Sequence, residues 1–358
     1  MELTILTGPL EGHGGEETVL KDFVSNLQDK YSFNLLVSEH TGDETWLEGI
    51  SPYLTNFKVN RETNRILKLK FILKNLRLVQ NTAVICLTPR MVFLANLAKK
   101  LFHKKYLIIS WMHFSIRVKF NESTAKQLLK ADYHFAISSG IQDELISLGI
   151  PENRIALIYN PVLRQKRTII PAKNETRFVC VSRIQFKGQK NLSEIFKALS
   201  LVDSNFKWSL DIYGADASTG QQEKAKCIAL CKELKIEDHV NWCGWYKNVW
   251  DVIETADCLL MSSTYEGFPM VLGEAIGRGI PVISSNCPTG PSDIVSDENG
   301  FLYQMGDIKS LASELTKFIE KKYQFDSVKL KDSLQKMYLD TYEQRVKKIL
   351  VDWIGENE

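Results

Sequence analysis

The chain has 358 residues, 44% of them hydrophobic and 25% charged, with a formal net charge of +2, which describes an ordinary globular protein with room for about two domains. No apolar run approaches the ~20 residues that cross a bilayer, and the amino-terminal segment lacks the basic start and apolar core of a signal peptide, so a cytoplasmic protein is expected. Seven cysteines, with Cys86, Cys180 and Cys258 inside apolar strand-like runs, have no paired spacing; they suit buried thiols in a reducing compartment rather than a disulfide framework.

The first predicted strand, LTILT at 3–7, leads into the loop GPLEGHGGEETVL at 8–20, where Gly14 and Gly15 precede an acidic first helical turn. Glycines there let the backbone crowd a ligand, and a turn without a ligand is the competing reading. The loop is not GxGxxG, and no acidic residue follows a second strand at the ribose position, so NAD is poorly supported. The strand FNLLVS (33–38) comes next. Positions 61–105 then hold Arg61, Arg65, Lys68, Lys70, Lys74, Arg77, Arg90, Lys99, Lys100, Lys104 and Lys105 against one acid, Glu62. Within them NRILKLKFILKNLRLVQ (64–80) has helical length, with Leu67, Phe71 and Leu78 on one side, Leu69, Ile72, Leu73 and Leu76 widening the stripe, and cations elsewhere. A solvated helix face, a surface for anionic lipid and a site for a phosphorylated acceptor all remain open. No zinc-finger spacing, RNP-like strand or helix-turn-helix accompanies the charge, so nucleic acid is not expected as a partner.

Strand runs TAVICL (82–87), YLIISW (106–111), YHFAIS (133–138) and IALIY (155–159) continue the alternation. A polar link with Pro161 and Pro171 follows at 160–176. The alternation resumes with RFVCVS, WSLDIYG, HVNWCG, CLLMSS and IPVISS, predicting α/β layering in two Rossmann-like halves with a ligand cleft between them. Cys227 and Cys231 share a helical face without a second ligand pair and are read as core, so no metal site is expected. The segment TYEQRVKKILVDWI (341–354) reads as an amphipathic helix.

Three places carry chemistry. After CLLMS (258–262) comes EGFPMVLGE (266–274), two carboxylates eight positions apart with Gly267, Phe268 and Pro269 after the first. Pro269 suits a first helical turn and free amides at a helix start attract phosphate, while Glu274, two turns further along the same face, can bind hydroxyls. Phosphate plus hydroxyls suggests a nucleotide sugar; an ordinary βα turn with a capping acid is the alternative. In VSRIQFKGQKN, Arg183 and Lys187 follow a strand, with Gly188 beside them and Lys190 and Asn191 opening a helix. Two cations at a sheet end suit a diphosphate, and fixed positive charge stabilises a departing nucleoside diphosphate. No Asp-x-Asp holds a divalent ion in this chain, which favours catalysis by cations over metal. Finally His113 ends the strand YLIISWMH, where it can meet a sugar hydroxyl or serve a structural role.

GHGGEE, His113, SRIQFKGQKN, YEGFPMVLGEA, PTGPSDIV and NGFLY together make the chain resemble the retaining glycosyltransferases of family 4, whose GT-B architecture faces two Rossmann-like domains across a cleft. The likeness spans nearly the whole chain. WLEGI (46–50), SWMHFS (110–115), ADYHFAISSGI (131–141), FKGQKN and EGFPM sharpen it toward bacterial lipopolysaccharide galactosyltransferases. The resemblance implies residues 1–165 as an acceptor-binding domain, 166–340 as the nucleotide-sugar domain and 341–358 as a helix crossing back to the first. It implies that Arg183 and Lys187 bind the diphosphate, Glu274 the ribose, Glu266 the transferred sugar near its anomeric centre, and His113 the donor sugar. Gly15 would reach the donor phosphates, the amides of Gly267, Phe268 and Met270 would complete the pocket, and the stretch from Asn241 to Gly244 would lie near the base. Many family members place one or two more residues between the arginine and the lysine, so Lys190 competes with Lys187; Lys187 is preferred for the Gly188 that follows it. Whether retention uses Glu266 as nucleophile or front-face attack is left open.

The expected activity is therefore transfer of a hexose, galactose from UDP-galactose, onto an anionic saccharide or glycolipid such as lipopolysaccharide core. The enzyme would sit peripherally on the inner face of the plasma membrane through the basic region 61–105, with no cofactor beyond its UDP-sugar substrate. Another UDP-hexose, UDP-glucose or UDP-N-acetylglucosamine, serving capsule, teichoic acid or glycoprotein is the enzymatic alternative, and a GT-B epimerase a further one. From another class, the chain could be a noncatalytic partner subunit.

Overall fold

In this computed structural model, residues 1–10, 14–40, 44–80 and 82–355 are described. The chain divides into two compact units, one formed by Met1–Pro161 with the segment from Leu339 onward, the other by Val162–Tyr338. The divisions fall at 161/162 and 338/339 instead of the expected 165/166 and 340/341. Val162 already belongs to the second unit: its amide donates to the Met337 carbonyl at 2.8 Å, and its Cγ2 stands 2.7 Å from where a Cβ on Gly273 would be.

The first unit is built on a parallel sheet of β1 (Glu2–Thr7), β2 (Ser32–Val37), β3 (Asn56–Val59), β4 (Ala83–Cys86), β5 (Leu107–Met112), β6 (Tyr133–Ala136) and β7 (Ile155–Leu157), in the spatial order β3-β2-β1-β4-β5-β6-β7. Its central strands are apolar along their whole length because helices cover both faces of such a sheet. Leu3, Ile5, Val84, Ile85, Ile108 and Ile109 are all fully buried. β3 has no such run: its Asn56, Phe57 and Lys58 are exposed, as an edge strand allows.

The helix Arg65–Leu78 starts where the sequence places it, capped by Asn64 Oδ1 on the amides of Ile66 and Leu67. Its inward face is a different one from the expected stripe. Only Ile72 and Leu76, one turn apart, are buried, whereas Ile66, Leu67, Leu69 and Leu78 are exposed. An i, i+4 pair is enough to seat a helix that meets its neighbours along one narrow line. Ile66, Leu67 and Leu78 consequently share the outer face with Lys70, Lys74 and Arg77.

The final helix, Leu339–Ile354, buries Tyr342, Val346 and Leu350 at i, i+4, i+8 in this same unit. Trp353 stacks on Tyr133 and Phe135 with ring centroids 4.5 and 5.1 Å apart, and Arg345 donates to the Ile158 carbonyl at 2.7 Å. The chain thus returns to its first half.

The second unit repeats the plan with β8 (Thr176–Val181), β9 (Trp208–Tyr213), β10 (Val240–Gly244), β11 (Cys258–Met261), β12 (Val282–Ser285) and β13 (Gly300–Tyr303), ordered β10-β9-β8-β11-β12-β13. Phe178, Ile195, Phe196, Leu210, Ile212 and Leu315 form its core. Cys227 and Cys231 pack into that core from the helix Gln222–Glu233. Among the described residues no helix is long and apolar enough to cross a membrane.

Candidate active site

Where the order of a parallel sheet reverses, the loops leaving the two neighbouring strands diverge and open a crevice at their carboxyl ends. In the second unit that point lies between β8 and β11. Arg183, Lys187 and Lys190 follow β8; Glu266, Gly267 and Phe268 follow β11.

The loop after β8 is anchored along both sides. On one, the Ile184 amide donates to the Ala215 carbonyl at 2.8 Å and the Phe186 amide to Glu223 Oε2 at 2.8 Å. Gly214 makes this approach possible: at φ +154°, a Cβ there would stand 1.8 Å from the Ser182 carbonyl oxygen. On the other side, the Thr264 amide donates to the Gln189 carbonyl at 2.7 Å. The Ser262 hydroxyl lies 3.1 and 3.0 Å from the carbonyls of Lys190 and Asn191. These bonds tie the two loops to each other.

At its centre Lys190 Nζ meets Glu266 Oε1 at 2.7 Å, the side chains 19% and 9% exposed. Burying a carboxylate is tolerable only with a partner of opposite charge and further hydrogen bonds around it. The Glu266 turn is fixed by the segment after β12: the Glu266 amide donates to Pro288 O at 2.7 Å, the Thr289 amide returns a bond to Glu266 O at 2.9 Å, and the Thr289 hydroxyl donates toward the Glu266 and Gly267 carbonyls at 3.1 and 2.9 Å. Gly290, at φ +91°, leaves room for this crossing, since a Cβ would come within 2.8 Å of Gly267 O. That is the structural work of the PTG in PTGPSDIV.

Arg183 sits exposed at the rim, its Nη2 donating to Gln189 Oε1 at 3.2 Å. Gln189 Nε2 in turn reaches the Tyr265 carbonyl at 3.3 Å. Lys187 does not join this group; it is exposed, 5.8 Å from the Phe186 ring centroid. Glu274 lies on the helix Met270–Ile276, which Pro269 caps without an N–H to give. One of its carboxylate oxygens accepts from Trp250 Nε1 at 2.9 Å, and Arg278 lies over the Trp250 ring, 4.7 Å from its centroid. Gly267 and Phe268 are buried in the turn and Met270 opens the helix. Gly244 closes β10 and accepts from the Gly214 amide at 2.8 Å; Asn241, earlier in β10, donates to Asp211 Oδ1 at 2.7 Å.

The other two expected residues belong to the first unit. His113 directly follows β5 and is 8% exposed. Its ring centroid lies 4.5 Å from that of Trp111, and its Nε2 has no hydrogen-bond partner among the described residues. Burial lowers its pKa to about 3, so the imidazole is neutral at physiological pH. Gly15 is the first residue of the helix Gly15–Leu27. Within GHGGEE, Gly12 and His13 lie outside the described residues, as does Glu11 before them.

Chemically, the second unit offers a cation held against a buried carboxylate, a second cation at the rim and a second carboxylate one helix away. Such a set has the chemistry to hold an anion and hydroxyls side by side. Thiol nucleophiles are not part of it: burial pushes Cys180 up to about 11, and burial, with the Glu266 charge adding, pushes Cys287 up to about 12. Among the described residues no group of three His, Cys, Asp or Glu side chains is placed to hold a metal ion.

Residues 164–336 match the family model for glycosyl transferases group 1. The lipopolysaccharide 1,6-galactosyltransferase of Escherichia coli (strain K12) is 34% identical over 371 residues, with 100% of both chains covered. The chain belongs to the group 1 glycosyltransferases. Among solved structures, the apo form of the lipopolysaccharide outer core galactosyltransferase WaaB is similar with a TM-score of 0.87 at 28% identity, covering 99% of this chain and 100% of that one. HepE of Anabaena, solved in complex with UDP-glucose, gives 0.80 at 18% identity over 98% and 99%, a likeness of fold alone. This group 1 glycosyltransferase therefore has the GT-B fold over its whole length.

The structure adds residues to the site of the glycosyltransferase that the sequence had not singled out: Gln189 between Arg183 and the Tyr265 carbonyl, Trp250 on Glu274, and Thr289 beneath Glu266. Lys190, which the sequence offers as the alternative to Lys187, is the lysine that meets Glu266. A signal for it was present, because Lys190-Asn191 immediately precedes the strongly amphipathic helix Leu192–Leu199. A helix start is a firmer anchor than a glycine in a loop.

Proposed function

We propose that this glycosyltransferase is a retaining enzyme of family 4 that moves galactose from UDP-galactose onto a sugar hydroxyl of a lipopolysaccharide-core acceptor. The buried Lys190–Glu266 pair at the strand-order reversal carries this reading. Lys190 shares its charge between Glu266 and the donor diphosphate, Arg183 closes on the same group from the rim, and Lys187 takes no part. The amides of Gly267, Phe268 and Met270 complete the phosphate pocket. Glu274, oriented by Trp250, takes the ribose hydroxyls, with the base near Gly244. Glu266 accepts a hydroxyl of the sugar through the carboxylate oxygen that Lys190 leaves open, while His113 in the first unit donates to or accepts from another and Gly15 reaches the phosphates.

As the bond from sugar to UDP lengthens, negative charge grows on the departing phosphate. Two fixed cations stabilise it without a metal ion. With Glu266 held in an ion pair, it is a poor nucleophile, so the acceptor hydroxyl attacks on the face from which UDP leaves, and the phosphate oxygen takes its proton. Galactose and lipopolysaccharide core are favoured because the 34%-identical relative carries them in its name. The outer face of the helix Arg65–Leu78, with Lys70, Lys74 and Arg77 among exposed Ile66, Leu67 and Leu78, suits a peripheral position on the anionic inner face of the plasma membrane. Thermal shift and donor hydrolysis with UDP-galactose, UDP-glucose and UDP-N-acetylglucosamine, each with and without EDTA, test the reading. UDP-galactose is expected to give the largest effect, unchanged by EDTA; failure of UDP itself to bind refutes it.

A further inference from the structure

His113 is followed at once by a buried carboxylate clamp that the donor chemistry does not use. Glu144, on the helix Ser139–Ser147, is buried and has both oxygens occupied: Oε1 accepts from the Ser115 hydroxyl and Oε2 from the Ile116 amide, each at 2.6 Å. Ser115 and Ile116 are themselves fully buried. Ser115 also caps the short helix Ile116–Lys119, its hydroxyl accepting from the Val118 amide at 3.4 Å. A second tie runs parallel to the first, from Arg117 Nη2 to the Ser147 hydroxyl at 2.7 Å, and that hydroxyl donates to the Glu144 carbonyl at 2.9 Å.

A buried carboxylate is costly to desolvate and rigid once both oxygens are satisfied. Here both bonds go to the second and third residues after His113, so the direction in which the chain leaves β5 is fixed by a side chain from another element. On its other flank His113 rests against Trp111. Its Nε2 is nonetheless without a partner among the described residues. Holding a buried imidazole nitrogen unpaired makes sense when a ligand group completes it.

We infer that Glu144 is a positioning residue, which through Ser115 and Ile116 holds the His113 ring with Nε2 presented to the transferred sugar. The inference rests on the donor reading given above for His113. Glu144→Gln keeps the shape but presents an NH2 to one of the two donors, so one bond is lost and the hold on the segment after His113 is loosened. In the full-length protein it is expected to lower kcat for transfer about 10–100-fold, taking as a guide the range found when a side chain that orients a metal-bound imidazole is removed. UDP affinity, which the proposed reading assigns mainly to Lys190, Arg183 and Glu274, should stay within about twofold. In a His113→Ala background the same substitution should cost less than about twofold, because two residues acting through one contact are not additive. Ring ¹⁵N signals of His113 report the clamp without any donor and should shift in Glu144→Gln. Ser115→Ala, which leaves the Ile116 bond in place, should move both readouts the same way by less and serves if Glu144→Gln does not fold. Unmoved ring signals with full activity overturn the inference alone, as does an equal loss in the His113→Ala background. A wild-type protein that binds no UDP overturns the donor reading instead, and the ring signals then still decide the clamp.

Discussion

Replacing Lys190 by Met separates the two lysines and tests the centre of the site together. In the folded protein Lys190 is 19% exposed and Glu266 9%, so Lys190→Met leaves a nearly buried carboxylate with no counter-charge. Breaking a buried ion pair from one side costs ~3–5 kcal/mol, and the residual exposure puts this case at the low end, about 3 kcal/mol. For a unit the size of Val162–Tyr338 that corresponds to a fall in Tm of about 6–12 °C. Removing both charges, in Lys190→Met with Glu266→Gln, leaves no uncompensated charge and should return much of the loss, since the cost of breaking a buried pair from one side lies in the stranded charge. On the proposed reading the same Lys190→Met change also deletes a charge-assisted hydrogen bond to phosphate worth ~1.5–3 kcal/mol, about 10–150-fold in the Kd for UDP. Lys187→Met, at an exposed position over Phe186, should stay within about 0.5 kcal/mol in stability and about threefold in Kd. Urea unfolding followed by tryptophan fluorescence and calorimetric titration with UDP give both numbers. If Lys187→Met loses tenfold or more in UDP affinity while Lys190→Met binds normally, the assignment of the gripping lysine is wrong. If the double variant is no more stable than Lys190→Met alone, the pair is not the buried unit its geometry describes.

Gly214→Ala should prevent the second unit from folding, because a Cβ 1.8 Å from Ser182 O at φ +154° has nowhere to go; circular dichroism and recovery of soluble protein would show it, and a normally folded variant would refute the close approach. His134, whose Nδ1 lies 2.6 Å from the Ser110 hydroxyl, has its pKa lowered to about 4 by burial first and then by Arg154, with Asp132 opposing. The unfolded chain therefore binds a proton near pH 6.5 that the folded chain refuses, so stability is full above that pH and falls as pH drops toward 4, by about 2 kcal/mol at pH 5. Urea melts at pH 7 and pH 5 should show that part of the loss missing in His134→Phe, and an identical loss in the variant would count against the burial argument. Charge reversal at Lys70, Lys74 and Arg77 should abolish co-sedimentation with vesicles containing phosphatidylglycerol while leaving UDP affinity unchanged; retained binding would remove this helix from the membrane contact.

The interior of both sheets was legible because a strand buried on both faces must be apolar along its length, as TAVICL and CLLMSS are. β3 and β13 escaped notice for the complementary reason: at an edge, four residues such as Asn56-Phe57-Lys58-Val59 can pair on one side and face water on the other. The helix Arg65–Leu78 was legible in its cap and length but not in its orientation. Leucines and lysines surround it on all sides, and only the neighbours that Ile72 and Leu76 meet decide which face turns inward. In the site, the residues whose backbone demands are local could be named from the sequence, Gly267 and Pro269 at a turn and Glu274 one helix face further on. What the sequence could not supply was the partner of Glu266. Lys190 lies 76 positions away, and the two meet because β8 and β11, separated by two strands in the chain, are adjacent in the sheet. No spacing rule along the chain encodes that neighbour relation, so the sequence does not show that Lys190, and not Lys187, meets Glu266. The same holds for Glu144 and Ser115, 29 positions apart, one on the helix after β6 and the other on the turn after β5, strands that pair in the sheet. Single side chains at strand ends are readable from sequence; the carboxylates that hold them follow from sheet topology.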